Sequence, residues 1–182
     1  MIPSWNSMGV LPPIRPGAKG NSPDRPPYIV DLSVFISHFC ISQERKKILD
    51  GLMRLRHELH NMGMTSGFQW LNGSFSENVE LIEKRGPNDI DVVTFYYLPS
   101  GEDQSTLISK APDLFHSKHI KDKYFVDGYY IMLGDELDEV SVRLVNYWYS
   151  MWSHKRDNFW KGFVQVSLDP SADLAAAAIL NA

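Results

Sequence analysis

Cysteine is nearly absent from this chain. The single Cys40 rules out an internal disulfide, and its place between Phe39 and Ile41 in an apolar run predicts a small buried hydrophobe. A dominant charge of one sign is also missing: 18 Lys and Arg against 22 Asp and Glu leave a net charge of −4. There is therefore no broad basic field of the kind that binds nucleic acid by counterion release. No basic start followed by a long apolar stretch opens the chain, and no apolar run approaches the ~20 residues of a membrane span. These absences point to a cytoplasmic protein with no membrane partner.

What is present suits one folded domain. A hydrophobic fraction of 43%, five Trp and 182 residues supply one core, and too little chain for two. Residues 1–28 hold seven prolines, from Pro3 to Pro27, which excludes regular structure there and predicts an arm ahead of a domain over 29–182. Trp5, Val10, Leu11 and Ile14 leave open whether the arm packs on the domain or hangs free.

From Asp31 onward, apolar periodicity predicts the order α, α, β, α, β, α, β, α, β, α. Leu32, Phe35, Ile36 and Phe39 mark a first helix. Ile48, Leu49, Leu52, Leu55, Leu59 and Met62 form the stripe of a longer one that starts at Ser42, with Arg45, Lys46, Lys47, Arg54 and Arg56 assigned to its other faces. Strands are expected over 67–71, 89–97, 124–133 and 163–168. Helices are expected over 76–83, 105–117 with a break near Pro112, 135–152 and 172–180. The class is α/β (α+β): a mixed, mostly antiparallel sheet flanked by helices.

The chemistry concentrates at three places: Gly73-Ser74, Asp89-Ile90-Asp91 and Asp127. Strand side chains alternate, so Asp89 and Asp91 face one side and Ile90 the core. Adjacent carboxylates repel unless a cation compensates, and their hard oxygens favour Mg²⁺ or Mn²⁺. Gly73 and Ser74 sit where a strand turns toward a helix, a place where backbone N–H groups can reach phosphate. Asp127 is a charge inside the β-like run Tyr124 to Met132. If its strand neighbours that of Asp91, three carboxylates converge into a two-metal site for displacement at phosphorus.

In this arrangement the chain resembles the DNA polymerase β-type nucleotidyltransferase superfamily. That likeness runs from residue 66 to 133. The arm motif Gly9-Val10-Leu11-Pro12-Pro13 and the segment Trp70-Leu71-Asn72-Gly73-Ser74-Phe75 extend it to small uncharacterised bacterial proteins assigned to that superfamily. The resemblance implies the minimal nucleotidyltransferase fold. It also implies a transfer of a nucleoside monophosphate from a nucleoside triphosphate, with Asp89, Asp91 and Asp127 as the catalytic and metal-holding residues. Gly73 and Ser74 would hold the outer phosphates, and Lys161, beside Gly162, is the best cationic candidate for them. Fourteen residues separate Ser74 from Asp89, a long spacing for a minimal member. The chain is also too short for the large helical domain with which polymerases bind base and acceptor.

By analogy the acceptor is a protein or a tRNA in a toxin–antitoxin or phage-defence system, with a partner protein encoded nearby. The alternatives are a nucleotide-holding module that binds a partner without catalysis, and an enzyme acting on a small molecule such as an antibiotic. His57 with His60, and His116 with His119, have helical metal-pair spacing but lie among charged residues and are read as solvated. Tyr147, Trp148, Tyr149, Trp152, Phe159 and Trp160 form an aromatic stripe expected in a core or at a partner surface, with nucleobase stacking as the sharper option.

Overall fold

A computed structural model describes residues 1–134 and 136–181. The fold is α+β, with a five-stranded mixed sheet in the order β1-β5-β2-β3-β4. The strands are β1 (Tyr28–Ile29), β2 (Gly67–Asn72), β3 (Ile90–Tyr96), β4 (Val126–Met132) and β5 (Val164–Ser167). Two junctions are antiparallel, β5 with β2 and β2 with β3, and two are parallel, β1 with β5 and β3 with β4. The described helices are α1 (Leu32–Phe39), α2 (Gln43–Asn61), α3 (Val79–Ile82), α4 (Gln104–Lys110), α5 (Ser117–Tyr124), α6 (Glu139–Trp152) and α7 (Asp173–Leu180). Among the described residues, no helix is long and apolar enough to cross a membrane.

Alternation along the strands splits the sheet into two unlike faces. Leu71, Ile90, Val92, Val126, Val164 and Val166 point into the main core, where they meet the apolar faces of α1, α2, α5 and α7. Each fully buried Leu or Phe there contributes about 1.5–3 kcal/mol. Trp70, Val93, Phe95, Ile131 and Phe163 point the other way and are partly roofed by Trp148 and Trp152 of α6. Helix α6 is thinly anchored: Trp152 is its buried residue, while its apolar Val140, Leu144 and Met151 stay exposed. The expected start of this helix, Asp135, lies outside the described residues.

Helix α2 starts where Ser42 accepts from the Arg45 N–H, as its sequence predicts. Two of its arginines do not occupy an outer face. Arg45 and Arg56 are fully buried, because 45, 49, 52, 56 and 59 make one heptad-like stripe. Arg56 bonds Asp173, Gln69 Oε1 at 2.6 Å and the Ser167 carbonyl, tying α2 to α7 and the sheet.

Three boundaries differ from the sequence expectation. The helix expected over 76–83 is a 3₁₀ turn, Ser74–Ser76, followed by the four-residue α3. The Arg45 guanidinium holds the Phe75 and Glu77 carbonyls at 2.6 Å each, the acceptors that a continuous helix would need for Val79 and Leu81. The strand expected from Tyr124 starts at Val126: residues 117–124 form α5, ended by Phe125 in the left-handed conformation at φ 58°. Tyr28, expected as the last residue of the arm, opens β1.

The arm packs. Val10 and Leu11 are fully buried, and Ile2 nearly so. The Gly9 carbonyl accepts from Asn78 N–H at 2.7 Å, the Leu11 carbonyl from Gly162 N–H at 2.7 Å, and the Ser76 carbonyl from the Trp5 indole at 2.8 Å. The arm thus braces the turn after Gly73 and the approach to β5.

Candidate active site

Strand register lines up three polar residues. Asn72 on β2 lies opposite Asp91 on β3, and Asp91 lies opposite Asp127 on β4. The row faces α6, since Val93, Phe95 and Ile131 follow at even spacing on that side. Asp89, one residue before β3, joins it at the strand ends, where Lys121 of α5 bridges Asp89 Oδ2 at 2.7 Å and Asp127 Oδ2 at 3.3 Å. Parallel pairing of β3 with β4 therefore brings Asp89, Asp91 and Asp127 together.

Burial first, then the charges of Asp89 and Asp127, raise the Asp91 carboxyl from 3.8 to about 6, while Lys161 and Lys121 oppose the rise. Lys121 is pushed upward by its hydrogen bond to Asp89 and further by Asp127, so its ammonium stays charged.

Gly73 closes against this carboxylate. Its φ is 80°, in the region that favours glycine, and a Cβ there would stand 2.6 Å from Asp91 Oδ2. No side chain fits between the turn and the aspartate. Ser74, half-buried, opens the 3₁₀ turn. With only four residues in α3, no helix dipole of any length backs this turn; what it offers is backbone geometry.

Lys161 does not stand free to meet an anion. It is buried, with its Nζ 2.6 Å from Glu77 Oε1 and 3.3 Å from the Gly73 carbonyl. Lys155 approaches the other Glu77 oxygen at 3.4 Å. Lys161 thus fastens the Gly73 turn and lends positive potential to Asp91. Sequence reading missed Glu77, Asn72 and Lys121. Asn72 donates to the Trp152 carbonyl at 3.1 Å and accepts from Ser76 Oγ at 2.9 Å, linking α6 to the turn. The signal for Asn72 was available: it alternates onto the same side as Trp70, directly before Gly73. Lys121 had no such signal, because its contacts depend on how α5 lies on the sheet.

Beside Asp127 the face becomes aromatic. Tyr129 follows two residues later, its ring centroid 4.5 Å from that of Trp148. Burial and then Asp127 push its hydroxyl upward. Of the rest of the expected stripe, Trp152 is buried, and Tyr149, although it packs on Phe163, is exposed together with Tyr147, Phe159 and Trp160. His60 contacts the Leu168 carbonyl at 2.8 Å and is half-buried rather than solvated, and His116 Nδ1 accepts from the His119 N–H that opens α5.

The donor set fits a hard divalent cation in kind: three carboxylates, a raised Asp91, and a cationic ammonium already drawn between two of them. Among the described residues, no three carboxylate, imidazole or thiol groups form a ready-made metal site. Lys121 takes Oδ2 of both Asp89 and Asp127, so its ammonium would have to leave for these two oxygens to share an ion with Asp91.

Fold and site together define an α+β domain with an aspartate row set against a glycine turn and braced by buried Arg45 and Lys161. The chain belongs to the family of unknown function DUF6932, which matches residues 3–167 and so spans the arm and every site residue above. No curated protein and no solved structure matches the chain.

Proposed function

We propose that this protein is a metal-dependent nucleotidyltransferase that moves a nucleoside monophosphate from a nucleoside triphosphate onto a protein or tRNA acceptor. The observation that carries the reading is the contact of Gly73 with Asp91: a glycine turn that excludes a side chain beside the middle carboxylate of a three-aspartate cluster. Triphosphate recognition and metal retention need those parts adjacent.

In this reading Asp89, Asp91 and Asp127 hold Mg²⁺ or Mn²⁺, which when bound neutralises charge on the triphosphate. Gly73 and Ser74 present backbone N–H groups to its outer phosphates. Lys161 keeps the turn in place through Gly73 and Glu77. Asp127, nearest the open aromatic side, accepts the proton of the acceptor hydroxyl. The new bond joins acceptor oxygen to the α-phosphorus, and the breaking bond releases pyrophosphate with its electron pair. A toxin–antitoxin or defence setting remains the favoured context by analogy.

A second reading, a nucleotide-holding module that works by binding a partner protein, is favoured by α6, whose Val140, Leu144, Tyr147 and Met151 are exposed. Incubating the protein with each α-labelled triphosphate, Mg²⁺, and cell extract divided into protein and RNA fractions separates the two. Label entering either fraction supports transfer and names the acceptor class. Mg²⁺-dependent nucleotide binding without label transfer favours the holding module.

A further inference from the structure

Lys121 stands where the site needs a cation. It lies on α5, which packs against β4, and its side chain reaches past the strand ends to Asp89 at 2.7 Å and Asp127 at 3.3 Å. One ammonium thus fastens the start of β4, at Asp127, to Asp89, the residue that leads into β3. The lysine is not itself enclosed: 47% of its side chain is exposed, against 19% for Asp89 and 25% for Asp127. It can withdraw to solvent while the aspartates stay.

We propose that Lys121 is an exchangeable counter-ion, holding Asp89 and Asp127 while no divalent cation is bound and giving them up when Mg²⁺ or Mn²⁺ binds. This rests on the reading of the three aspartates as a metal site. With the ammonium in place the three carboxylates carry a net charge of −2; once it has left they carry −3, of which one divalent ion offsets two, more than the single charge the lysine offset. A metal ion and the ammonium cannot both sit on the same Asp89 and Asp127 oxygens, because like charges at contact distance repel strongly in a half-buried site. Lysine suits the exchange, being a compact charge on a flexible stem that regains side-chain freedom on release. A buried arginine such as Arg45, forked onto Glu80 and two carbonyls, would not leave.

The exchange has a consequence that a static salt bridge lacks. Metal uptake must displace two ion pairs, so removing the lysine should tighten metal binding and, at the same time, loosen the metal-free protein. Partly exposed pairs are each worth a few-fold, which together makes metal binding about tenfold tighter without Lys121.

The test uses the full chain as wild type, Lys121→Met, Lys121→Gln and Lys121→Arg, with Mn²⁺ as the probe. Free Mn²⁺ is followed by electron paramagnetic resonance, and thermal unfolding is followed in EDTA and in Mn²⁺. The two neutral variants should bind Mn²⁺ about tenfold more tightly than wild type. They should also melt lower than wild type in EDTA and gain more from Mn²⁺, while Lys121→Arg stays near wild type in affinity. Lys121→Gln carries the test if Lys121→Met does not fold. Mn²⁺ bound by a neutral variant and not by wild type would be the strong form of the exchange. Equal or weaker Mn²⁺ binding in both neutral variants, or higher stability of both in EDTA, would overturn it and leave the metal site standing. Absence of Mn²⁺ binding in all four proteins would overturn the exchange and the metal reading together.

Discussion

Replacing Asp91 with Asn should stabilise the metal-free protein at neutral pH, and the size of that gain follows from the surroundings of the carboxyl. Burial, then Asp89 and Asp127, raise it from 3.8 to about 6 in the folded chain. Between those values the folded protein keeps a proton that the unfolded chain has released. The resulting stability is full below about pH 4 and is lost as pH rises through about 6. At ~1.36 kcal/mol for each tenfold change in proton affinity, the penalty at pH 7.5 has a ceiling of about 3 kcal/mol. Asn cannot ionise and escapes it. At roughly 2–4 °C per kcal/mol for a chain of this length, the variant should melt up to about 10 °C above wild type at pH 7.5 in EDTA, and level with it near pH 4. Added Mg²⁺ should then raise wild type and leave Asp91→Asn unmoved. The assay is thermal melting of both proteins across pH 4 to 7.5, with and without Mg²⁺. A variant that melts below wild type at pH 7.5 in EDTA, or a difference that does not change with pH, would refute the picture of a desolvated carboxylate crowded by like charges.

Other substitutions probe the supports of the site. Gly73→Ala should cost about 1–3 kcal/mol in urea unfolding, because it forces a Cβ into a left-handed φ and against Asp91. It should also weaken Mn²⁺ binding, and a variant unchanged in both respects would remove the turn from the account. Lys161→Met leaves the buried Glu77 with only the longer contact to Lys155 and should cost about 3–5 kcal/mol, partly recovered by adding Glu77→Gln; a loss under 1 kcal/mol would show that the pair is not holding the turn. Arg45→Met strands the Phe75 and Glu77 carbonyls together with Glu80 and should cost about 3 kcal/mol or more, read by the same unfolding titration. An unfolding midpoint equal to wild type would mean that the 3₁₀ turn holds without the guanidinium.

Local patterns carried much of this structure. The alternation of Ile90, Val92 and Tyr96 with Asp91 and Val93 predicts both β3 and the face on which Asp91 lies, since pleating fixes side-chain direction. The stripe of α2 and its Ser42 cap were equally legible. Alternation says nothing about neighbours, however, and the parallel register of Asp91 with Asp127 emerges only from the assembled sheet. The same limit hid Lys121, whose two partners meet only because β4, which follows its helix, pairs with β3. Arg45 and Arg56 were misassigned by residue type alone: their spacing marks them as core, and charge suggested surface, because burial of an arginine depends on acceptors supplied by distant segments. Lys161 was misjudged for a related reason, its partner Glu77 being recruited across the fold rather than along the chain.

The proposed transfer at the α-phosphorus is tested most directly by paired isotopic labels. Wild type and Asp91→Asn are incubated with Mg²⁺, the acceptor fraction, and one triphosphate labelled either at the α- or at the γ-phosphate. Acid-stable label is expected on the acceptor from the α-labelled nucleotide only, with pyrophosphate carrying the γ-label and neither product from the variant. Label reaching the acceptor from the γ-position, or α-label transferred equally by Asp91→Asn, would contradict it.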